Sequence, residues 1–132
     1  MLMHNCEYVA TASTAFMEDY YAKLDKALQA SKKGMAYIHV FSPCPTGWRY
    51  PPNQLIEIGR KAVEANLVPL WEYSLEKGRL EFTHPIDNPL PVKTFLSLIG
   101  KYRHLNENEI DHIQKTSEKR IEILTSFQHQ KA

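Results

Sequence analysis

Cys44 stands between two prolines in Ser42-Pro43-Cys44-Pro45-Thr46-Gly47-Trp48-Arg49-Tyr50-Pro51, directly after the apolar run Met35-Ala36-Tyr37-Ile38-His39-Val40-Phe41. A thiolate is both a nucleophile and a soft metal ligand. Proline on each side narrows the backbone freedom of Cys44, which suits a donor that must stay in place. A Cys-Pro pair also ends the bacterial ferredoxin ligand run, so proline beside an iron–sulfur ligand has a precedent in chemistry. Gly47 permits close approach of the backbone to a bulky group. Trp48 offers a ring that shields such a group from water, and solvent exposure is one control on cluster potential. The plain alternative is a small thiol buried as an apolar group in a tight loop.

One thiolate does not hold a cluster, because a [4Fe–4S] cube takes four ligands. Cys6 is the only other cysteine, there is no C-x-x-C, and His4-Asn5-Cys6 is too slight to define a site. The six histidines (His4, His39, His84, His104, His112, His129) show no H-x-x-x-H or H-E-x-x-H spacing, so packing or surface roles explain them better than a zinc site. No P-loop, G-x-G-x-x-G or G-x-S-x-G is present. The acidic pairs Glu18-Asp19 and Glu107/Glu109 fall on helix surfaces, where solvation accounts for them.

The elements that must position Cys44 follow from periodicity. Residues 7–12 are β-branched and apolar, a strand, after which Ser13 and Thr14 offer hydroxyls to cap a helix. Over 16–32, Phe16, Tyr20, Leu24, Ala27 and Leu28 recur at helical spacing, with Glu18, Asp19, Lys23 and Lys26 on the opposite side and Gly34 as a C-cap. Residues 35–41 form a nearly continuous apolar strand, which suits a sheet covered on both faces and predicts neighbours on both edges. Pro43, Pro45, Pro51 and Pro52 exclude regular structure through the next segment. Asn53 then caps a helix whose inner face is Leu55, Ile56, Gly59, Ala62 and Val63, with Asn66 near its end. Residues 67–75 and 79–83 read as a hairpin lying at a sheet edge, given Pro69. A loop over 85–91 leads to a short helix at 92–100, with Phe95, Leu96 and Ile99 inward. A last helix over 106–128 carries the stripe Ile110, Ile113, Ser117, Ile121, Leu124 and Phe127.

Strand–helix alternation followed by a hairpin and helices predicts an α/β fold with parallel strands and right-handed crossovers. Two strands and a hairpin make a thin sheet, so the missing neighbours of residues 35–41 are expected on another chain or on a further part of the parent protein. In an open α/β sheet ligands sit beyond the carboxyl ends of the strands, which is where Cys44 lies.

At 132 residues the chain is one domain by length, able to bury roughly two thirds of its unfolded surface. Apolar residues make up 43% and charged residues 23%, and 16 basic against 15 acidic side chains leave a net charge of +1. Neither sign dominates, which speaks against a dedicated nucleic-acid or anionic-membrane surface. No apolar run reaches membrane-spanning length, and Met1-Leu2-Met3-His4-Asn5-Cys6 lacks the basic start and apolar core of a signal peptide. A reducing cytoplasm is the expectation.

Four stretches carry a resemblance: EYVATAS (7–13), GMAYIHVFSPCPTGWRYPP (34–52), AVEANLVPLWEY (62–73) and PVKTFLSLIGKYRHL (91–105). In order over about residues 6–105 they closely resemble the C-terminal part of the β subunit of pyruvate:ferredoxin oxidoreductase, and residues 106–128 resemble that family's tail more loosely. P-T-G-W is nearer to the pyruvate and branched-chain 2-oxo acid members than to the 2-oxoglutarate ones. The resemblance implies oxidative cleavage of a 2-oxo acid with thiamine diphosphate, magnesium, coenzyme A and iron–sulfur clusters. It implies that Cys44 is the fourth ligand of the [4Fe–4S] cluster nearest the thiamine, with Thr46, Gly47 and Trp48 around that cluster. It implies a partial thiamine-diphosphate-binding α/β fold, working with the other half of the β subunit, with α, γ and δ-type subunits and with ferredoxin. The family's thiamine and magnesium motif, G-D-G followed by Asn, does not occur in these residues, nor do three further cysteines. The isolated chain is therefore expected to be inactive. The alternative is a non-catalytic α/β domain or split-gene product, a folding or interaction module with a free thiol that self-associates through an uncovered edge.

Overall fold

The computed structural model describes residues 4–128; the readings placed on Met1–Met3 and on His129 lie outside them. Three expected features stand together in the observed order: a parallel βαβ start, a hairpin, and C-terminal helices. Strand β1 (Tyr8–Ser13) is followed by helix α1 (Met17–Ala30), β2 (Ala36–Phe41), the one-turn helix α2 (Pro45–Trp48), α3 (Leu55–Glu64), β3 (Trp71–Ser74), β4 (Arg79–Phe82), α4 (Val92–Leu96) and α5 (Glu107–Ser126). Short 3-10 turns lie at Pro52–Gln54 and Gly100–Tyr102. The four strands form one sheet in the order β2-β1-β3-β4. Strands β1 and β2 are parallel, from Tyr8 opposite Ala36 to Ser13 opposite Phe41, while β3 runs antiparallel to β1 and to β4. The mixed α/β class is borne out.

Alternation along β1 sends neighbouring side chains to opposite faces. Tyr8 and Ala10 pack with Ala27 of α1 on one face, joined by Ala30, Ala36 and Ile38. On the other, Ser13 approaches α3 at Gly59, where a Cβ would meet Ala15 Cβ at 2.6 Å. The larger core lies on that side, built from Ile58 and Ala62 of α3, Val92, Phe95, Leu96 and Ile99 of the α4 region, and Tyr50. Phe95, Leu96 and Ile99 thus point inward as expected. The inner face of α3 includes Ile58, which is fully buried, whereas Ile56, expected inward, is 45% exposed.

Helix α1 departs most from its expected orientation. Lys23, placed on the solvent side by periodicity, is 1% exposed, while Leu24 and Leu28 are out in solvent. The reason is the ammonium's partners. Its three donors go to the Thr11 carbonyl, the Asp19 carboxylate and the Thr83 hydroxyl, each at 2.7 Å. A fully hydrogen-bonded, ion-paired lysine can cover apolar surface with its stem, and this one ties α1 to β1 and to the residue after β4. Burial lowers the Lys23 pKa, opposed by the Asp19 carboxylate.

Smaller corrections have local causes. Ser13 does not cap α1; its hydroxyl accepts from the Ala15 N–H at 3.2 Å, and Phe16 occupies the N-cap position without a side-chain bond. Gly34 is not a left-handed C-cap; Ser31 closes α1 in right-handed geometry, and a Cβ on Gly34 would stand 2.9 Å from Glu7 Cγ. Asn53 lies inside a 3-10 turn rather than capping α3. The proline-rich segment does contain a helical turn, because Pro45 occupies the first position, where no N–H is needed. Only β4 of the hairpin is an edge strand, since β3 pairs with β1. Strand β2 is only partly covered: Tyr37 and His39 on one face and Val40 on the other are exposed, and β1 is its one neighbour among the described residues. Helix α5 starts with a capping box in which Asn106 accepts from the Glu109 N–H and Glu109 accepts from the Asn106 N–H. Its buried Ser117 donates to the Asn66 carbonyl at 2.8 Å.

Candidate functional site

The two parallel strands end side by side at Ser13 and Phe41, and Cys44 follows three residues after β2. Pro43 is buried, and its ring lies 3.7 Å from where a Cβ on Gly59 would stand, so the chain leaves the sheet against α3. Cys44 is extended (φ −106°, ψ 107°) and serves as the N-cap of α2. Its Sγ accepts the Gly47 N–H at 3.4 Å, and its carbonyl accepts the Trp48 N–H at 3.0 Å. A Cβ on Gly47 would come to 3.3 Å from that sulfur, so the glycine lets the N–H and the thiol share one side of the turn.

The turn is anchored from both ends. The Trp48 indole packs against Phe41 at 5.8 Å and edge-on to Phe95 at 6.0 Å, so it ties the loop to β2 and α4. Arg49 closes α2 in the left-handed region (φ 59°), and its carbonyl accepts the Gly100 N–H at 3.2 Å. The Tyr50 N–H returns to the Pro45 carbonyl at 3.2 Å. The Tyr50 ring is buried in the main core, and its hydroxyl has no hydrogen-bond partner among the described residues. Burial raises the Tyr50 pKa, and the negative charge of a Cys44 thiolate raises it further.

Cys44 itself is exposed. The plain alternative, a thiol packed away as an apolar group, does not describe this cysteine. It does describe Cys6, which is 1% exposed. Thr46 and Gly47 are exposed beside Cys44, and Trp48 is half-buried. The structure thus brings Cys44 and Gly47 into direct contact, while Trp48 spends its ring on Phe41 and Phe95. Sequence reasoning did not single out Arg49, Tyr50 or Gly100. The signal for Tyr50 was present as an aromatic two residues after the Gly-Trp pair; for Gly100, only its place after an inward Ile99.

A thiolate that accepts a backbone N–H and faces solvent fits a single soft metal ligand, because hydrogen bonds to cluster sulfurs are an established control on potential. It fits one corner of a [4Fe–4S] cluster and no more, since among the described residues no group of three or more His, Cys, Asp or Glu side chains is placed to hold a metal ion. Two clefts lie away from this thiol. One, of about 740 Å³, opens beyond the end of β1 between Thr14, Phe16, Asp19, Arg60 and Glu64. The other, of about 340 Å³, is lined by Tyr8, Lys26 and Glu72, whose groups pair with one another: Tyr8 donates to Glu72 at 2.8 Å and Lys26 at 2.7 Å. No helix among the described residues is long and apolar enough to cross a membrane.

No protein-family model matches the chain. Curated proteins do. The β subunit of NADH-dependent phenylglyoxylate dehydrogenase from Aromatoleum evansii is 54% identical over 132 residues, 98% of this chain and 29% of that protein. Pyruvate synthase subunit PorB of Methanocaldococcus jannaschii is 41% identical over 124 residues, covering 94% of this chain and 40% of that subunit. Ketoisovalerate oxidoreductase subunit VorB of Pyrococcus furiosus is 40% identical over 115 residues, 87% of this chain and 36% of that subunit. The chain therefore spans well under half the length of the curated relatives it matches. Identity at this level along nearly the whole chain bears out the resemblance read from these residues: the chain is similar, over nearly all of its length, to a part of the β subunits of 2-oxo acid oxidoreductases.

Proposed function

We propose that this chain is the part of a 2-oxoacid:ferredoxin oxidoreductase β subunit that supplies Cys44 as one ligand of a [4Fe–4S] cluster. The observation that carries this reading is the exposed Cys44 thiol, fixed beyond the carboxyl end of the parallel strand pair and accepting the Gly47 N–H. Thr46 and Gly47 flank the cluster, and Trp48 holds their turn against the core. The other three ligands, and the residues for thiamine diphosphate and magnesium, come from the remainder of the β subunit. The whole of residues 1–132 forms one unit of that larger thiamine-diphosphate-binding fold, and the open edge of β2 is where it continues. In the assembled enzyme the thiamine supplies the carbanion chemistry of 2-oxo acid cleavage and the cluster accepts electrons singly. The chain's own work is to fix one iron through Cys44 and to keep that corner rigid. α, γ and δ-type subunits complete the enzyme, ferredoxin takes the electrons, and the assembly is cytoplasmic.

The substrate of this reading is pyruvate, converted to acetyl-CoA, in line with the P-T-G-W run. A second reading is favoured by a specific observation: the phenylglyoxylate dehydrogenase β subunit is 54% identical, against 41% for the pyruvate synthase subunit. On that reading the assembled enzyme takes an aryl 2-oxo acid. Turnover of the assembled oxidoreductase with pyruvate and with phenylglyoxylate separates the two.

The ligand assignment is tested by iron and acid-labile sulfide in the assembled enzyme carrying Cys44→Ser. Loss of about one cluster, four irons, per β subunit is expected, with the subunit still folded. An unchanged cluster content overturns the assignment.

A further inference from the structure

We propose that Arg49, Lys101 and Arg103, beside the Cys44 turn, form a docking surface for a small acidic electron-carrier protein, a ferredoxin of net negative charge. The proposal rests on the reading of Cys44 as a cluster ligand and names the surface across which that cluster's electrons leave. The chain as a whole is nearly neutral, but its charge is unevenly spread. No acidic residue occurs between Asp25 and Glu57, nor between Asp87 and Glu107. The fold joins these two acid-free stretches at the Cys44 turn. Cys44 is the N-cap of α2 and Arg49 its C-cap, and the Arg49 carbonyl accepts the Gly100 N–H at 3.2 Å. Lys101 follows Gly100 in its 3-10 turn, and the Arg103 N–H returns to the Gly100 carbonyl at 3.4 Å. Arg49, Lys101 and Arg103 are all exposed. None of the three pairs with a carboxylate among the described residues; Lys101 lies instead over the Tyr102 ring at 5.8 Å. Elsewhere Lys26, Lys33, Lys61, Lys77, Arg79 and Lys93 each hold a glutamate. Glu107, the first acid beyond the patch, is the one held by Lys93, at 2.6 Å.

These three residues line neither cleft described above, so the surface suits a protein face rather than a small anion gripped on several sides. Electron-transfer partners meet through small, weak interfaces, and complementary charge raises their encounter rate and orients them. Each encounter moves one electron from the reduced [4Fe–4S] cluster to the carrier's oxidised centre, with no bond made or broken. The test uses the assembled oxidoreductase turning over its 2-oxo acid with either of two acceptors. One is a ferredoxin of net negative charge; the other is a bis(propylsulfonate) viologen, which has no net charge. Lys101→Glu combined with Arg103→Glu is expected to raise KM for the ferredoxin about tenfold. Its turnover with the viologen is expected to stay unchanged. For the unaltered enzyme, kcat/KM with ferredoxin is expected to fall as salt rises, and the glutamate pair is expected to abolish or invert that dependence. Lys101→Gln with Arg103→Gln, which removes the charge without reversing it, is expected to fall between.

If Cys44→Ser loses the cluster and neither pair changes KM for ferredoxin or its salt dependence, the docking proposal is overturned and the ligand reading stands. If Cys44→Ser keeps the cluster unaltered, the ligand reading fails and the docking proposal fails with it. An equal loss with both acceptors, or a raised KM for coenzyme A with that for ferredoxin unchanged, also overturns the docking proposal. The second of these would mark the patch as a phosphate site. Should the glutamate pair not assemble, the glutamine pair decides alone; if that too fails to assemble, the patch is a contact between subunits and the proposal is overturned.

Discussion

Gly100 and Arg49 meet backbone to backbone. The Gly100 N–H donates to the Arg49 carbonyl at 3.2 Å, and a Cβ on Gly100 would stand 2.6 Å from that oxygen and 3.0 Å from Arg49 Cβ. Arg49 is in the left-handed region and closes the turn that carries Cys44, so this contact locks the loop from behind. Gly100→Ala is expected to force the two segments apart and cost about 1–3 kcal/mol, the usual range for an added methyl with no room. Urea titration followed by tryptophan fluorescence measures it. A faster reaction of Cys44 with a disulfide reagent is expected alongside, as the turn loosens.

Lys23→Met keeps the apolar stem and removes the ammonium that joins Thr11, Asp19 and Thr83. Asp19 retains partial contact with water, at 18% side-chain exposure. The expected loss is about 2–4 kcal/mol, somewhat below the range for breaking a fully buried pair. Thermal unfolding of the two chains at neutral pH gives the difference. Leu24→Ala, one residue along on the exposed side, is expected to change stability far less.

Alkaline pH acts on Tyr8 in the opposite sense to Lys23. Burial, and then the Glu72 carboxylate, hold the Tyr8 phenol well above its ordinary value of 10.0. Above about pH 10 the unfolded chain releases this proton while the folded chain keeps it, so stability falls as pH rises. Tyr50, raised by burial and by Cys44, adds to the same fall. Lys23, whose pKa is lowered from 10.5 by burial, makes the folded state bind fewer protons than the unfolded state just below that value, so its contribution rises with pH there. Tyr8→Phe is expected to flatten the decline above pH 10 and to cost about 1.5 kcal/mol at pH 7 through the lost bond to Glu72. Urea midpoints across pH 7–11 measure both effects.

Cys44→Ser in this chain alone is expected to leave stability within about 0.5 kcal/mol, because the side chain is exposed and its sulfur accepts a single long bond from the Gly47 N–H among the described residues. A large loss on thermal unfolding would mark Cys44 as a structural residue.

Much of the fold was legible in residue order. Leu55, Ile58, Gly59, Ala62 and Val63 recur at helical spacing and form the inner face of α3, although Ile56 was read in place of Ile58. The capping box of Asn106 and Glu109 was not read, because Glu109 was taken with Glu107 as part of a solvated helix face. Cys44 was visible as a candidate because two prolines and a glycine have strong backbone meanings that do not depend on distant neighbours. The burial of Tyr50 was not, because the residues it is buried with, Ile58, Phe95 and Ile99, come from elements further along the chain.

By itself the sequence determined the order of the main elements, the prominence of Cys44 between its prolines and the resemblance to the β subunits. Those properties are set by residues near one another in the chain, or by the identity of the string as a whole. The tertiary structure alone decided that β1 lies between β2 and β3, that Lys23 goes inside while Leu24 and Leu28 stay out, and that Gly100 braces the Cys44 turn. Periodicity records which side chains share a face, but whether that face is covered depends on partners far along the chain. Lys23 is buried because Thr11 and Thr83, 12 and 60 residues away, converge on its ammonium.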